Sequence, residues 1–225
     1  MSEKKYLGFD HRMVMVGFGS IGQGALPLLL RHIEMAPSQV TIVTAEDRGG
    51  DEARSLGVRL VVAPLTRANY RAVLEPLLGP GDVLVNVSVD VSSVALIELC
   101  ISKNVLYLDT CIEPWPGFYT DPAVPPSLRS NYALRESALK VRESHRVAPT
   151  AIITHGANPG LVSHFVKQAL IDVAGGGAVP ESRAEWAALA RRLGVKAIHI
   201  AERDTQVSAI PKRPGEFVNT WSIDG

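Results

Sequence analysis

A glycine-rich turn near the start of the chain carries the clearest chemical signal in the sequence. It stands directly between a short apolar run and a segment whose apolar residues recur with helical spacing. In such a strand–turn–helix, Gly17 permits the tight turn, Gly19 lets a pyrophosphate approach the backbone, and Gly22 allows close packing of helix on strand. The helix N-terminus offers free N–H groups and a partial positive charge to phosphates. The predicted dinucleotide contacts are Gly17, Gly19, Ser20, Ile21 and Gly22.

Two acidic residues follow the second apolar run, where a dinucleotide's ribose is bound in sheets of this kind. That run, residues 40–43, ends at Thr44, and Glu46 and Asp47 come just after it, with Arg48 as the adjacent cation. Acids without a basic cluster favour NAD over NADP, because a carboxylate repels the extra phosphate of NADP. We therefore expect NAD as the cofactor. The ribose contact is open between Glu46, the first candidate, and Asp47.

Acidic and aromatic side chains later in the chain could hold a cation. Glu113 follows the fifth predicted strand, at the carboxyl edge where open α/β sheets bind ligands. Glu202 ends a strand predicted over residues 196–201. Trp115 and Trp221 offer aromatic faces, which attract cations by about 0.5–2 kcal/mol. Each acid also has a plainer interpretation: Glu113 could cap a turn, and Glu202 could lie in solvent at the strand end.

Four other residues invite a functional interpretation. Asn158, followed by Pro159, is predicted to cap a helix, although its amide could still meet a nicotinamide or an amine. His155 is expected to be a hydrogen-bonded structural residue without a catalytic role. Cys111 has no accompanying cysteine–histidine motif and is expected to fill a small buried space. Trp186 lies in an amphipathic segment and is expected in the core.

Short apolar runs alternate with helical segments from residue 13 to residue 108, and Asp51 and Thr66 are predicted to cap two of the helices. Continuous Val/Ile/Leu strands that alternate with helices are typical of a parallel sheet buried on both faces. Right-handed crossovers then give a doubly wound α/β domain of the Rossmann type. The predicted strands are residues 13–16, 40–43, 58–62, 83–87 and 105–108.

The pattern changes after the fifth strand, where residues 110–127 contain a cluster of prolines. Helices are predicted over residues 130–144, 159–174 and 182–193, and strands over 151–154, 196–201 and 217–223. We expect an NAD-binding Rossmann domain over residues 1–150. Residues 151–225 are expected to begin an α+β substrate domain that the chain interrupts before its end.

Composition excludes several classes of protein. The 23 basic residues balance the 23 acidic ones, so no net field attracts nucleic acid. Two cysteines, Cys100 and Cys111, are too few for a disulfide framework, and no metal site is expected. The polar N-terminus is unlike a signal peptide, and no apolar run is long enough to cross a bilayer. A cytoplasmic protein without a membrane partner is expected.

Seven segments occur in a fixed order along the chain. They are GFGSIGQG at 17–24, NVSVD at 86–90, DTCIEPW at 109–115, RSNYALRE at 129–136, GANPG at 156–160, HIAERD at 199–204 and NTWS at 219–222. Together they closely resemble bacterial homospermidine synthase, a member of the saccharopine-dehydrogenase-like group. The resemblance covers the chain from Val14 to Gly225, although members of the family are about twice as long.

The resemblance implies an enzyme that recycles bound NAD while it joins two putrescine molecules into homospermidine and releases ammonia. A second domain closes over the cofactor, related diamines are further candidate substrates, and a homodimer is expected. Glu113, Asn158, Glu202 and Trp221 fall on pocket positions of the family. Asp109 and Asn158 are expected beside the cofactor.

A mechanism follows as a hypothesis. Glu113 or Glu202 takes a proton from the bound amine, because an ammonium has no lone pair with which to form an imine. A hydride passes from the carbon beside the nitrogen to the nicotinamide, and it returns after a second amine has displaced ammonia. One alternative is a saccharopine-dehydrogenase-like oxidoreductase of an amino acid, with Arg129 and Arg135 as the carboxylate-binding pair. Another is an inactive fragment that binds only the dinucleotide.

Overall fold

The computed structural model describes residues 4–201, 203, 205, 207 and 209–216. The chain divides into two compact units, Met1–His155 and Gly156–Gly225. Among the described residues, no helix is both long and apolar enough to cross a bilayer.

The first unit is built on a parallel sheet of six strands. These strands are β2 (Met13–Val16), β4 (Val40–Thr44), β5 (Arg59–Val62), β6 (Val83–Asn86), β7 (Leu106–Asp109) and β8 (Ala151–Ile152). Their order is β5-β4-β2-β6-β7-β8. Numbered along the chain, this is the 3-2-1-4-5-6 order of a dinucleotide-binding Rossmann sheet. The predicted doubly wound α/β fold is confirmed. A separate parallel pair joins β1 (Leu7–Gly8) and β3 (Ile33–Glu34).

Helices cover both faces of the sheet. Those of the first unit are α1 (Ser20–His32), α2 (Gly50–Ser55), α3 (Tyr70–Leu74), α4 (Ser93–Lys103) and α5 (Asn131–Ser144). Short 3₁₀ turns lie at Pro37–Gln39, Glu75–Leu77 and Pro126–Leu128. Successive side chains of a strand point to opposite faces, and both faces of β2 are buried. Val14 and Val16 pack in one apolar cluster with α3, α4 and α5, while Met13 and Met15 pack in the other with α1 and α2. The buried sheet therefore needs its continuous apolar strands.

Two predicted helix caps are wrong. Helix α2 begins after Gly49, whose φ of 82° is left-handed, so Asp51 lies inside the first turn. Helix α3 begins after Asn69 rather than after Thr66: the Asn69 Oδ1 accepts the Thr66 N–H at 2.7 Å, so Thr66 lies in a turn before the helix. In both places a turn shortens the helix at its start.

The two compact units of the structure divide between His155 and Gly156, whereas the sequence predicts a domain boundary between residues 150 and 151. Strand β8 pairs in parallel with β7, with Ala151 opposite Tyr107, and so extends the sheet of the first unit. It is shorter than predicted because Thr154 adopts a left-handed φ of 55°, which ends the extended chain.

The second unit contains helices α6 (Leu161–Val173) and α7 (Arg183–Arg192). Asn158 is not the predicted helix cap, since α6 begins after Gly160. The first N–H groups of α6 are instead bound by its own loop: the Leu161 N–H donates to the Gly156 carbonyl at 2.8 Å. The Asn158–Pro159 bond within that loop is cis.

Helix α7 begins as predicted, where Ser182 and Glu185 form a reciprocal capping box. Trp186, expected in the core, is half-buried, and the Lys167 ammonium lies 5.3 Å from its ring centre.

The strand predicted over residues 196–201 is wrong. This segment pairs with no strand in the described part of the chain, and Ile198 and Ile200 are exposed. An isolated extended segment lacks the ladder of hydrogen bonds that stabilises a strand. The strand predicted over residues 217–223 lies outside the described residues.

Candidate functional site

The glycine turn between β2 and α1 has a different constraint at each glycine. Gly17 has a φ of 90°, and a side-chain carbon added to it would lie 2.7 Å from the Ser88 Cα. A carbon added to Gly22 would meet the Gly17 carbonyl oxygen at 3.0 Å and the Phe18 ring at 3.1 Å. Gly19 has no heavy atom within 4 Å of the corresponding point. Two glycines therefore let the backbone pack closely, and Gly19 leaves open space at the turn.

The same turn borders a recess at the carboxyl edge of the sheet. Helix α1 starts at Ser20, and the side chains of Ser20 and Ile21 are exposed beside the open space at Gly19. The N–H groups of a first helical turn have no partner within the helix, and they carry the positive end of its dipole. Beside Gly17 lies a cavity of about 230 Å³, lined by residues that include Thr44, Ala63, Val89 and Pro116. This arrangement fits a dinucleotide, with the pyrophosphate against the helix.

The two acids after β4 lie in different surroundings. The Asp47 carboxylate is 3.8 Å from the Arg54 guanidinium of α2. The backbone carbonyl of Asp47 accepts the Gly50 N–H at 3.1 Å. Glu46 is exposed and lies 3.7 Å from Arg48, which is also exposed. Asp47 therefore interacts with the first residues of α2, whereas the Glu46 carboxylate extends into solvent. The ribose contact of Glu46 stays a prediction.

Glu113, four residues after the end of β7, has its backbone fixed by one neighbour. Its N–H donates to the Ser93 Oγ at 3.0 Å, and its carbonyl accepts the Ser93 N–H at 2.8 Å. The Glu113 Oε2 accepts a long hydrogen bond of 3.5 Å from the Asp90 N–H. This last contact agrees with turn capping, but it is too long to hold the carboxylate strongly.

The electrostatic surroundings of Glu113 raise the pKa of its carboxyl group. Burial is the main cause, and the negative charges of Asp90 and Asp109 raise the pKa further. Hydrogen bonds from the Asp90 N–H and from Cys111 oppose this shift. A carboxyl group with a raised pKa holds a proton more readily near neutral pH, which suits a general base.

Glu113 lines a second recess, of about 560 Å³, together with aromatic side chains. Trp115 and Phe118 form part of its wall, and the Trp115 ring packs 5.5 Å from the ring of Tyr70. Arg67 also lines the recess and is exposed. The structure thus brings a half-buried carboxylate and an aromatic ring to one cavity, a combination that attracts an ammonium group.

A network of buried polar side chains lies at the ends of β6 and β7. The Asp109 carboxylate is fully buried and accepts hydrogen bonds from the Tyr107 hydroxyl at 2.9 Å and the Thr154 N–H at 2.6 Å. The Asn86 side-chain amide donates to the Tyr107 hydroxyl at 3.3 Å. Protein groups therefore enclose the carboxylate of Asp109, and its predicted contact with the cofactor stays a prediction.

Sequence reasoning assigned no role to Asn86, Tyr107 or Ser93. Asn86 and Asp109 are register partners at the carboxyl ends of adjacent strands. Each of these two polar residues follows an apolar run in the sequence. This shared position at the ends of two strands could have predicted that Asn86 and Asp109 lie side by side.

The remaining candidate residues have varied positions. His155 is exposed, and its backbone N–H donates to the Asp109 backbone carbonyl at 2.9 Å. Cys111 is half-buried, and burial raises the pKa of its thiol to about 11, so the thiol is protonated at neutral pH. Asn158 is exposed in the loop before α6. Glu202 and Trp221 lie outside the described residues. Among the described residues, no group of three or more His, Cys, Asp or Glu side chains could hold a metal ion.

The arginine pair of the alternative oxidoreductase is not assembled. Arg129 donates to the Tyr119 carbonyl at 2.5 Å, and Arg135 pairs with Glu136 at 2.9 Å on the same helix. Each guanidinium therefore interacts with a local partner within the first unit.

Comparison with known proteins gives close relatives over nearly the whole chain. Homospermidine synthase of Blastochloris viridis is 49% identical over 98% of this chain, and that of Mesorhizobium japonicum is 44% identical over 95%. The crystal structure of homospermidine synthase from Legionella pneumophila, in complex with NAD, covers 97% of this chain with a TM-score of 0.82 at 45% identity. The resemblance expected from the sequence motifs is confirmed.

The chain spans about half the length of these relatives: 48% of the first, 46% of the second and 46% of the crystallised chain. Residues 13–153 match the family described as the saccharopine dehydrogenase NADP binding domain. This range contains the sheet, the glycine turn and Glu113 with its partners Ser93 and Asp90. The chain belongs to the family that carries the saccharopine dehydrogenase NADP binding domain.

Proposed function

We propose that the protein is a homospermidine synthase, which joins two putrescine molecules and releases ammonia with NAD as a recycled cofactor. The observation that carries this proposal is the position of Glu113. Its half-buried carboxylate lines a recess with Trp115 at the carboxyl edge of the sheet that also bears the glycine turn. The two relatives described as homospermidine synthases support the same activity.

The dinucleotide is held by the glycine turn and the N-terminus of α1 in this proposal. Bound there, its nicotinamide supplies a carbon that accepts a hydride and later gives it back. The family description names NADP, whereas the crystallised relative contains NAD. The Glu46 carboxylate, beyond the tip of β4, supports NAD, because it would repel a phosphate on the ribose and accept a hydrogen bond from its hydroxyl.

Glu113 and Trp115 bind the amine. An ammonium group is attracted by the carboxylate and by the aromatic ring, so its nitrogen is held within the recess. The raised pKa of Glu113 lets the carboxylate take a proton from that nitrogen, directly or through one water molecule. The freed lone pair is what formation of a carbon–nitrogen double bond requires.

We assign three further residues to the proposed amine pocket: Asn158, Glu202 and Trp221. Their assignment rests on the family resemblance and on their chemistry: an amide, a second carboxylate and a second aromatic face. Related diamines fit the same chemistry, because each has two ammonium groups on an apolar chain. The expected homodimer and the cytoplasmic location stay predictions.

One specific observation supports the alternative of a protein that binds only the dinucleotide. The open glycine turn and the N-terminus of α1 can bind a dinucleotide whether or not an amine is bound, which agrees with a protein that binds NAD alone. The oxidoreductase alternative is less well supported, since Arg129 and Arg135 do not form the pair that would bind a carboxylate.

Incubation of the chain with putrescine and NAD tests the proposal. Mass spectrometry would measure homospermidine, and absorbance would measure NADH. The proposal predicts homospermidine and ammonia in equal amounts without net NADH. Net formation of NADH from a single substrate would support the oxidoreductase instead. Binding of NAD without homospermidine would contradict the synthase and support the dinucleotide-binding alternative.

A further inference from the structure

Ser93 is the first residue of α4 and is fully buried. The helix does not need its hydroxyl as a cap, because the Ser92 Oγ accepts the Ala95 N–H at 3.4 Å. A buried hydroxyl group is costly unless it forms hydrogen bonds, so the partners of Ser93 account for its presence.

Glu113 is the first of these partners. The Ser93 N–H and Oγ hold the Glu113 carbonyl and N–H at 2.8 and 3.0 Å, so both polar groups of the Glu113 backbone are bound by one residue. Such a reciprocal pair fixes the position of the Glu113 Cα. Only the side-chain torsions of Glu113 then set where its carboxylate lies in the recess.

Asp109 and Tyr107 are the other partners. The Ser93 hydroxyl interacts with both side chains, and its interaction with Asp109 favours the charged form of that carboxyl group, which lowers its pKa. Asp109 is itself held by Tyr107 and by the backbone of Thr154. Ser93 therefore lies between the carboxyl end of β7 and the loop that carries Glu113, and it interacts with both.

We propose that Ser93 is a positioning residue for Glu113: it holds the carboxylate at the amine recess and joins it to the buried Asp109. This inference rests on the proposed role of Glu113 as proton acceptor. Ser93 does not touch the recess itself and acts through the Glu113 backbone.

Loss of the Ser93 hydroxyl has two effects on Glu113, and both lower the pKa of its carboxyl group. We expect the loop to relax towards solvent, which reduces desolvation of Glu113, and we expect Asp109 to lose an interaction that favours its negative charge. The titratable groups that act on Glu113 from the surrounding loops are Asp90, Asp109, Cys111 and Tyr119, and Arg67 lines the same recess. The substitution replaces none of these side chains, so Asp109 is the one group among them whose charge it changes directly.

The test compares Ser93→Ala with Ser102→Ala. Ser102 lies near the other end of α4, where its hydroxyl donates to the Leu99 carbonyl at 2.7 Å, so its substitution removes one hydrogen bond of the same helix far from Glu113. We expect Ser93→Ala to lower kcat about tenfold or more, since small displacements of a reacting group are costly. Its affinity for NAD should stay unchanged, and the acidic limb of the kcat/KM profile should move to lower pH. Ser102→Ala should match the wild type in kcat, in its affinity for NAD and in the position of the acidic limb.

A second measurement separates this inference from the proposed function. Carbon-13 NMR of labelled glutamate carboxyls, with the Glu113 signal assigned through Glu113→Gln, gives the pKa of Glu113 without turnover. A lower pKa of Glu113 in Ser93→Ala than in Ser102→Ala supports the inference. It does so even if the wild type makes no homospermidine, because the absence of product would contradict only the proposed function. Equal pKa values and equal kcat values in the two variants would overturn it. If Ser93→Ala does not fold, Tyr107→Phe removes the hydroxyl that donates to Asp109, and we expect a shift in the same direction.

Discussion

The backbone of Ser88 passes so close to Gly17 that a side-chain carbon on Gly17 would lie 2.7 Å from the Ser88 Cα. The first glycine of the turn is therefore required by the protein itself, because β2 and the segment after β6 meet there. Gly19, two residues on, meets no protein atom. The glycine turn thus combines a packing requirement with an open place for a ligand.

This contrast predicts opposite phenotypes for two alanine substitutions. Gly17→Ala forces an alanine into a left-handed φ and a backbone clash, and we expect a loss of roughly 2–4 kcal/mol in the free energy of unfolding. Gly19 has a φ of −77°, which alanine tolerates, so Gly19→Ala should change stability by less than about 1 kcal/mol. It should weaken NAD binding about tenfold or more. Urea unfolding and calorimetric titration with NAD measure the two effects, and tight NAD binding by Gly19→Ala would contradict the assigned site.

Cofactor choice should depend on Glu46. Glu46→Gln removes the charge that disfavours a ribose phosphate, so its affinity for NAD should fall severalfold relative to its affinity for NADP. Asp47→Asn is the matched control, because Asp47 lies beside Arg54 at the start of α2. Fluorescence titrations of both variants with NADH and NADPH give the ratio. An unchanged ratio in Glu46→Gln, or a shift in Asp47→Asn instead, would move the ribose contact away from Glu46.

Activity should fall at acidic pH through the titration of Glu113. The pKa of this carboxyl is raised above the ordinary glutamate value of 4.5, chiefly by burial. Only the ionised form accepts a proton, so kcat/KM is lost as the pH falls through the raised pKa. Glu113→Gln should abolish most turnover and leave NAD affinity intact. Turnover close to that of the wild type in this variant would rule out the proton-acceptor role.

A second carboxylate of the proposed pocket can be tested in the same assay. Glu202→Gln should remove most turnover while NAD binding is spared, because glutamine keeps the shape of the side chain and lacks its charge. Arg203→Gln, a change of charge at the adjacent position, serves as the control. A fully active Glu202→Gln variant would remove Glu202 from the pocket.

Asp109 should make stability depend on pH. Burial raises the pKa of its carboxyl above the ordinary value of 3.8, although hydrogen bonds from Thr154 and Tyr107, and the interaction with Ser93, oppose the shift. The folded protein then favours the protonated acid, so the wild type loses stability as the pH rises through the folded-state pKa. The Asp109→Asn variant has a neutral amide at this position, so its stability lacks this dependence on pH.

The free energy of unfolding of Asp109→Asn, relative to the wild type, should therefore increase from about pH 3 to about pH 7. Urea unfolding at the two pH values measures this difference. A relative stability that falls over the same interval would show that the hydrogen bonds outweigh burial.

The sequence was sufficient to predict five of the six strands of the sheet and their parallel arrangement, whereas β8 was assigned to the second domain. Its strands consist mostly of Val, Ile, Leu and Met, and the helices between them are bounded by glycine or capping residues, so parallel crossovers are the consistent arrangement. The position of Glu113 at the carboxyl edge could be predicted in the same way, because that prediction needs only the place of the residue after its strand.

Features that depend on a partner elsewhere in the chain were harder to predict. The apolar alternation at Ile198 and Ile200 is typical of a strand, but no described neighbour pairs with it. Asn158 and Pro159 have the composition of a helix start, and the loop's own carbonyls bind the first N–H groups of α6 instead. The bonds of Ser93 depend on how α4 and the loop after β7 meet in three dimensions, which no local pattern encodes.

Deuterium transfer tests the central claim most directly. The chain would be incubated with unlabelled NADH, NAD and putrescine that carries deuterium on the carbons next to nitrogen, and the product would be analysed by mass spectrometry. A recycled hydride predicts homospermidine that keeps all of its deuterium, since the atom removed from the first diamine returns to the product. Homospermidine that has lost deuterium to the free NADH pool, or the absence of any homospermidine, would contradict the account.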